Sequence, residues 1–497
     1  MAQHLYSRSA ILTLAVLAVG PLWGGEGQAP LYTIRSARQI GQLDRITVLL
    51  EASGDLLRRA GPQATKAGRI PMSLACKRQY QEKTLELPGD PRAGAPAECW
   101  RGVRWYEEAD ATLKLRDTSH RAVLTPPRRL IAVEIAPPAV TRFCPEGPLT
   151  LDELELVQAV GDSLPLDGLL PGEPVPVGRK WKPSDDLLAV LLDLEEVKSN
   201  TVEMLLKEVT PQLARLELAG RVEGTREGAA DRIELAAKCR FDRATARIDW
   251  FAMKVREQLD VGLVADGLEL EALVQIRIVP HGNCARLQDD ALRNLPLRPT
   301  EALCRLLYAP EEGGWQLLHD RSWFRVDHAR DLDVFRRIDR SRDLGLCKIS
   351  PLAKVAPEKL ISLGQFQAEV RQSLGKNFGE IVEAGESSNE AGCRVYRVVV
   401  TGRDGELPAR WHYYLVSDEL GRQVAFALRF DESKADAFGK ADEAMIRSFR
   451  FTAAAASHPP AAGTRPGRDP AAGPPPPSSP AAAGRETNPA RETADGG

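Results

Sequence analysis

The stretch Arg394–Phe451, RVYRVVVTGRDGELPARWHYYLVSDELGRQVAFALRFDESKADAFGKADEAMIRSFRF, is the part of the chain from which a fold can be read outward. It predicts three strands in a meander over Val395–Thr401, Trp411–Ser417 and Arg422–Phe430, then a helix and a short strand Ser448–Phe451. Along the second strand Trp411, Tyr413 and Leu415 alternate with His412, Tyr414 and Val416. Along the third, Val424, Phe426, Leu428 and Phe430 alternate with Gln423, Ala425, Ala427 and Arg429. A period of two in β-branched and aromatic residues marks half-buried strands. The link Asp418–Gly421 fits a hairpin, because Asp and Gly both tolerate turn geometry. The pattern specifies structure and no chemistry.

The whole chain has 497 residues, room for two or three domains, and a formal charge of −3 with pI near 6.3. That balance carries no electrostatic footprint for nucleic acid or for an anionic membrane. Residues 1–29 read as a secretory signal: Arg8, an apolar run Ala10–Val19 broken by Gly20-Pro21, then small residues up to Ala29. Ten apolar residues are too few to cross a bilayer that needs about 20, so no integral span is expected once the leader is removed. The protein is therefore expected in the periplasm or outside the cell. Eight cysteines (Cys76, Cys99, Cys144, Cys239, Cys284, Cys304, Cys347, Cys393) without a CxxC pair are too sparse for a disulfide scaffold. Most should be buried hydrophobes, with room for one or two bridges.

Residues 30–285 read as a β-rich domain. Arg45–Glu51, Met72–Leu87, Val103–Leu115 and Arg121–Ile135 are predicted strands. Thr150 and Glu153 form a capping box ahead of one helix, and Ser184 caps another that starts with Asp185 and Asp186. Ile233, Leu235, Ala237, Cys239 and Phe241 alternate with Glu234, Lys238 and Arg240, and Leu268, Leu270, Ala272, Val274, Ile276 and Ile278 with Glu269, Glu271, Gln275 and Arg277. Between them Ile248 and Trp250 keep one parity while Phe251, Met253 and Val255 take the other, which predicts a bulge. The expectation is a curved, mainly antiparallel sheet or half-barrel with two helices. Residues 286–312 read as a junction, marked by turn signals at Pro296, Pro299 and Pro310-Glu-Glu-Gly-Gly314. A second domain over 313–451 has predicted strands at Trp315–His319, Trp323–Val326, Val334–Ile338 and Leu344–Ile349, and a helix capped by Ser362 with Gln365. Residues 452–497 contain no Val, Ile, Leu, Met, Phe, Trp, Tyr or Cys. Such a Pro/Ala-rich tail cannot bury a core and is expected to be disordered.

The hairpin at Trp315–Val326, the helix Ser362–Gly375 and the stretch Arg394–Phe451, with Trp411-His-Tyr-Tyr and Ser448-Phe449 as local points, resemble the PsbP/DcrB-type α/β/α domain. The resemblance covers about 140 of the 497 residues and implies a non-catalytic accessory or binding module. The fold class expected is α+β: the half-barrel, then a PsbP-like α/β/α domain, then the tail.

Catalytic constellations are thin. Gly161-Asp162-Ser163-Leu164 spells the GDSL-type esterase signature, but that chemistry needs a later Asp-x-x-His to supply the base. The Asp-x-x-His present, Asp117–His120, comes before it. His281, Cys284 and Cys304 form half a zinc site without a second close pair. His412 lies among strand aromatics, and Glu107-Glu108, Asp185-Asp186 and Glu195-Glu196 read as solvated charge. No catalytic, cofactor-binding or metal residue is therefore expected, and no cofactor. The reading is a non-enzymatic binding or accessory module of the cell envelope with an envelope or extracellular partner. The alternative is a carrier of a lipid or other apolar ligand in the half-barrel; a GDSL-type hydrolase comes last.

Overall fold

The alternating runs around Leu235 and Val274 become the middle of a 13-stranded antiparallel sheet. The computed structural model describes residues 29–58, 68–89, 99–262, 266–311, 313–329, 332–339 and 342–452. The predicted leader 1–29, apart from Ala29, and the predicted tail 452–497, apart from Thr452, lie outside them. The sheet runs, in spatial order, Ala139–Phe143, Leu130–Ala136, Trp100–Leu115, Gly68–Glu86, Leu43–Arg58, Gly267–Pro280, Arg247–Leu259, Ala229–Asp242, Leu213–Arg226, Glu203–Val209 and Lys180–Trp181. Thr118–Val123 and Glu196–Asn200 pair beside it. Its end strands do not meet, so the sheet stays open. The predicted bulge is present: Phe241 pairs with Ile248 and Arg240 with Trp250, leaving Asp249 as the extra residue.

Parity separates the two faces of this sheet. Ile46, Val48, Leu50, Leu235, Met253 and Ile276 point inward and are buried in one large core. Two short helices, Leu151–Gln158 and Asp185–Leu192, cover part of that inner face. Both caps form as predicted. Thr150 and Glu153 close a full capping box, and the Ser184 hydroxyl accepts from the Leu187 N–H. The outer face is a lattice of exposed ion pairs between neighbouring strands, among them Lys77–Glu108, Arg232–Asp260, Arg240–Asp249 and Arg256–Glu271. Each is worth little on its own. Together they make a face for water, since lipid-facing strands must be apolar.

A second, seven-stranded antiparallel sheet runs Trp323–Ala329, Leu332–Asp339, Arg342–Leu352, Gln423–Asp431, Leu407–Ser417, Arg394–Asp404, Phe378–Ser388. Both faces of its central strands are covered. Phe366, Val370 and Leu374 of the helix Leu363–Leu374 pack on Tyr396, Val398, Val400 and Trp411. On the other side Phe426 and Phe430 meet Phe438, Met445 and Phe449, together with Trp315 of the three-stranded sheet Leu306–Tyr308, Trp315–His319, Arg450–Phe451. The strands expected here as half-buried are thus covered on both sides, with Ala425 and Ala427 partly buried and Gln423 at 9% exposure.

The expected α+β class is corrected. Of the described residues 55% are in strands and 17% in helices, which makes the fold β-rich. The predicted PsbP-like α/β/α domain is corrected with it. One 12-residue helix covers one face, and the predicted closing helix breaks into Ala435–Phe438 and Ala441–Ser448. Gly439, with φ +56, turns the chain between them. The single strand expected over Arg121–Ile135 is also two, parted by a turn at Pro126–Arg128. All eight cysteines are free, so neither of the bridges allowed for is formed.

The predicted junction 286–312 packs against the first sheet. Leu287 and Leu292 share a small core with Val103, Leu130 and Cys284, and Leu306 belongs to the large core. The Leu307 N–H donates to the Leu149 carbonyl at 2.8 Å. Arg321 bridges the two sheets, donating to the carbonyls of Arg142 at 2.6 Å and Cys304 at 2.9 Å.

Candidate binding face

The inner face of the large sheet carries charge where its parity demands apolar residues. Arg78, Tyr80 and Glu82 alternate on one strand in line with Leu74 and Cys76, and Arg104 and Tyr106 stand on the next. Against them folds the turn Gly161–Leu164, directly after the first helix. Asp162 accepts from Arg104 on one oxygen and from Arg142 at 2.9 Å on the other. The Ser163 hydroxyl donates to Glu82 at 2.9 Å, so the Tyr80 hydroxyl, 3.1 Å away, donates to it. Arg38 donates to the Ser163 carbonyl at 3.2 Å and pairs with Asp167 at 2.9 Å. Arg78 donates to the carbonyls of Val157 and Val160 at the end of the helix, at 3.3 and 2.7 Å. A cation there complements the negative end of the helix.

These groups are buried: Ser163 is 0% exposed, and Arg78, Arg104 and Glu82 are 1%. Burial would raise the Asp162 pKa. The charges of Arg104 and Arg142, with hydrogen bonds from Arg104 and the Leu164 N–H, outweigh it and hold the carboxyl well below the usual range. Burial pushes the Tyr80 phenol up. The cluster acts as a clamp that fixes the helix-and-turn segment to the sheet.

The residues singled out from sequence do not come together. Ser163 bonds to Glu82 and Tyr80, while His120 stands exposed beside Asp152 at 3.2 Å. Cys284 is buried in the small core of the junction, His281 lies half-exposed at its edge, and the Cys304 carbonyl serves Arg321. His412 is buried; its Nδ1 lies 2.5 Å from Asp442, and Tyr414 donates to the same oxygen at 2.7 Å. Those three groups fasten the helix Ala441–Ser448 to the second sheet. Glu107 takes bonds from Arg45, Gln79 and Gln81, Glu108 pairs with Lys77, and Asp185 accepts from Asn200. The Glu195 carboxylate accepts from the Gly228 N–H at 3.3 Å, and Glu196 is exposed at a strand start. Among the described residues no His/Cys/Asp/Glu group has metal-site geometry.

Beyond the helices the inner face changes character. Ile70, Met72, Leu74, Leu113, Leu268 and Leu270 share the inward parity and are half-buried. Pairing sets them side by side: Leu74 faces Leu113, and Gly54 lies between Met72 and Leu270. A Cβ at Gly54 would sit 2.0 Å from the Glu269 carbonyl oxygen, so only glycine permits that approach. At the margin Asp231 and Glu257 share Arg226. Burial and the Glu257 charge, opposed by Arg226, push Asp231 up to about 7. A separate open hollow of about 650 Å³ lies on the outer face, rimmed by Glu51, Lys114, Lys254 and Glu271.

No family model matches the sequence, and no curated protein does. Solved structures reported as similar include a mutant of the Rh. blastica porin, at 10% identity over 78% of this chain and 99% of that one, TM-score 0.11. The translocator domain of the autotransporter NalP from Neisseria meningitidis matches at 6% identity over 79% and 89%, TM-score 0.12. Acinetobacter baumannii OccAB4 matches at 9% over 79% and 97%, TM-score 0.12. None of these is a PsbP-like protein, and the resemblance drawn from sequence is corrected. Scores this low carry no argument about function. Among the described residues no helix is long and apolar enough to cross a membrane.

Proposed function

We propose that this is an exported, non-enzymatic binding or accessory protein of the cell envelope. The observation that supports it is how the reactive groups of the inner face are used. Asp162, Ser163, Glu82, Arg104 and Arg78 bond one another or the helix end, and all are buried. A nucleophile needs access as well as a base; Ser163 is fully buried, and its hydroxyl partners are Glu82 and Tyr80. Export rests on the leader pattern of residues 1–29. N-terminal sequencing of protein from its native host should start between residues 24 and 31; intact Met1 in soluble cytoplasm would refute export. Turnover of general esterase substrates that disappears in Ser163→Ala would refute the non-enzymatic reading.

A second reading, carriage of a lipid or other apolar molecule, is favoured by the half-buried aliphatic strip around Leu74 and Leu270. Such a surface binds through area removed from water. Native mass spectrometry of the purified protein should then show lipid that Leu270→Asp removes. Lipid retained by the variant would count against carriage on this face.

A further inference from the structure

The strand Phe378–Ser388 is long, pairs with one neighbour and forms the edge of the second sheet, with Phe378 and Ile381 of its first half packed under the helix Leu363–Leu374. Nine of its eleven residues are exposed, and among the described residues no strand pairs with its outer edge. Two register shifts, at Gly379 and Val382, disturb its first half. From Glu383 to Ser388 the ladder opposite Val399–Arg394 is regular, and all six residues are exposed. An edge of this kind offers unpaired N–H and C=O groups, and proteins usually guard it with charged side chains, lysine above all, or with proline, bulges or a cover. Here the bulges are confined to the first half, and Glu383 and Glu386 pair with the neighbouring strand. Neither lysine nor proline occurs between Phe378 and Gly392, and Ala384, Gly385, Ser387 and Ser388 put no bulk along the edge.

Charge marks its two ends. Glu383 and Glu386 are answered by Arg397 and Arg394 on the neighbouring strand. Glu380 and Glu390 flank the regular ladder, and no ion pair is recorded for either among the described residues. We propose that Glu383–Ser388 is a docking edge for an extended segment of a partner protein, which adds as an eighth strand and carries basic residues at its ends. Backbone hydrogen bonds then supply the affinity, and Glu380 and Glu390 select the charge.

The test uses the full chain and a ten-residue peptide of alternating threonine and valine with two lysines at each end. Fluorescence polarisation should show saturable binding, weakened at least about ten-fold when alternate peptide amides are N-methylated. The double variant Glu380→Lys with Glu390→Lys should weaken the lysine peptide and strengthen one with glutamates in those places. Three outcomes would overturn the proposal: no binding up to about 1 mM, equal binding of the N-methylated peptide, or indifference to the charge swap. Light scattering that shows the edge closed by a second copy of the chain would overturn it too.

Discussion

Removing the Asp162 carboxylate would leave the Arg104 and Arg142 guanidiniums buried without their shared counter-charge. Breaking a buried pair in this way costs about 3–5 kcal/mol, so Asp162→Ala should lower the urea midpoint strongly. The same carboxyl predicts acid sensitivity. Its folded pKa lies below the ordinary value of 3.8, so its contribution is complete above that value. It is lost as pH falls from there through the folded pKa. Asp442, depressed by bonds from His412 and Tyr414 against the opposing effect of burial, acts in the same direction. Stability should fall below about pH 4, and Asp162→Asn should flatten that fall in thermal melts across pH 2–6. Ser163→Ala removes a donor to Glu82 and an acceptor for Tyr80, and about 1–3 kcal/mol with them. Its effect should appear in stability and in no hydrolytic rate. The clamp had one legible trace, since Arg78, Tyr80 and Glu82 keep the inward parity of Cys76. That Glu82 meets Ser163 was not legible, because the contact joins residues 81 apart.

At the scale of elements, both faces of the second sheet can be tested through one strand. Phe426 packs edge-on against Phe449, their ring centroids 5.7 Å apart, beneath the helix Ala441–Ser448. Phe426→Ala should cost about 3–5 kcal/mol by opening a cavity. Sequence parity alone makes Gln423→Ala nearly free. With Gln423 buried, its truncation should cost about 1 kcal/mol, still well below Phe426. Urea denaturation of the two variants checks the order; equal costs would mean that the register is wrong. Elements with a clear period or cap were readable: the Gln423–Asp431 strand, the Thr150 and Ser362 capping boxes, the bulge at Asp249. The strand Phe378–Ser388 was not, for a physical reason. Its two bulges bring Phe378, Ile381 and Ala384 onto the helix side through pairing with Gly402, Val400 and Val398. A spacing of three is not a strand period. The covered second face was equally hidden, because Ala425 and Ala427 look as suited to water as to a helix.

At the scale of the molecule, the question is how far the two sheets stand alone. Each has its own core, and the links between them include the backbone pairing of Leu149 with Leu306 and Leu307, the Leu306 side chain in the large core, and Arg321 with Arg142. Burial of the Arg321 guanidinium lowers its pKa, and Arg142 adds to that, so the bridge carries a desolvation cost of its own. A fragment of residues 301–452 keeps the seven-stranded sheet, the helices on both its faces and the three-stranded sheet that completes the core around Trp315. It loses little apolar cover, chiefly that over Leu306, which the first sheet buries to 2% exposure. The fragment is therefore expected to fold and to unfold cooperatively in urea. In the full chain Arg321→Ala should loosen the link and leave both cores intact. The prediction is two resolved unfolding transitions in the variant, with the second close to that of the isolated fragment. A fragment without a cooperative transition would show that the first sheet is needed to hold the second, and would place the two in one folding unit.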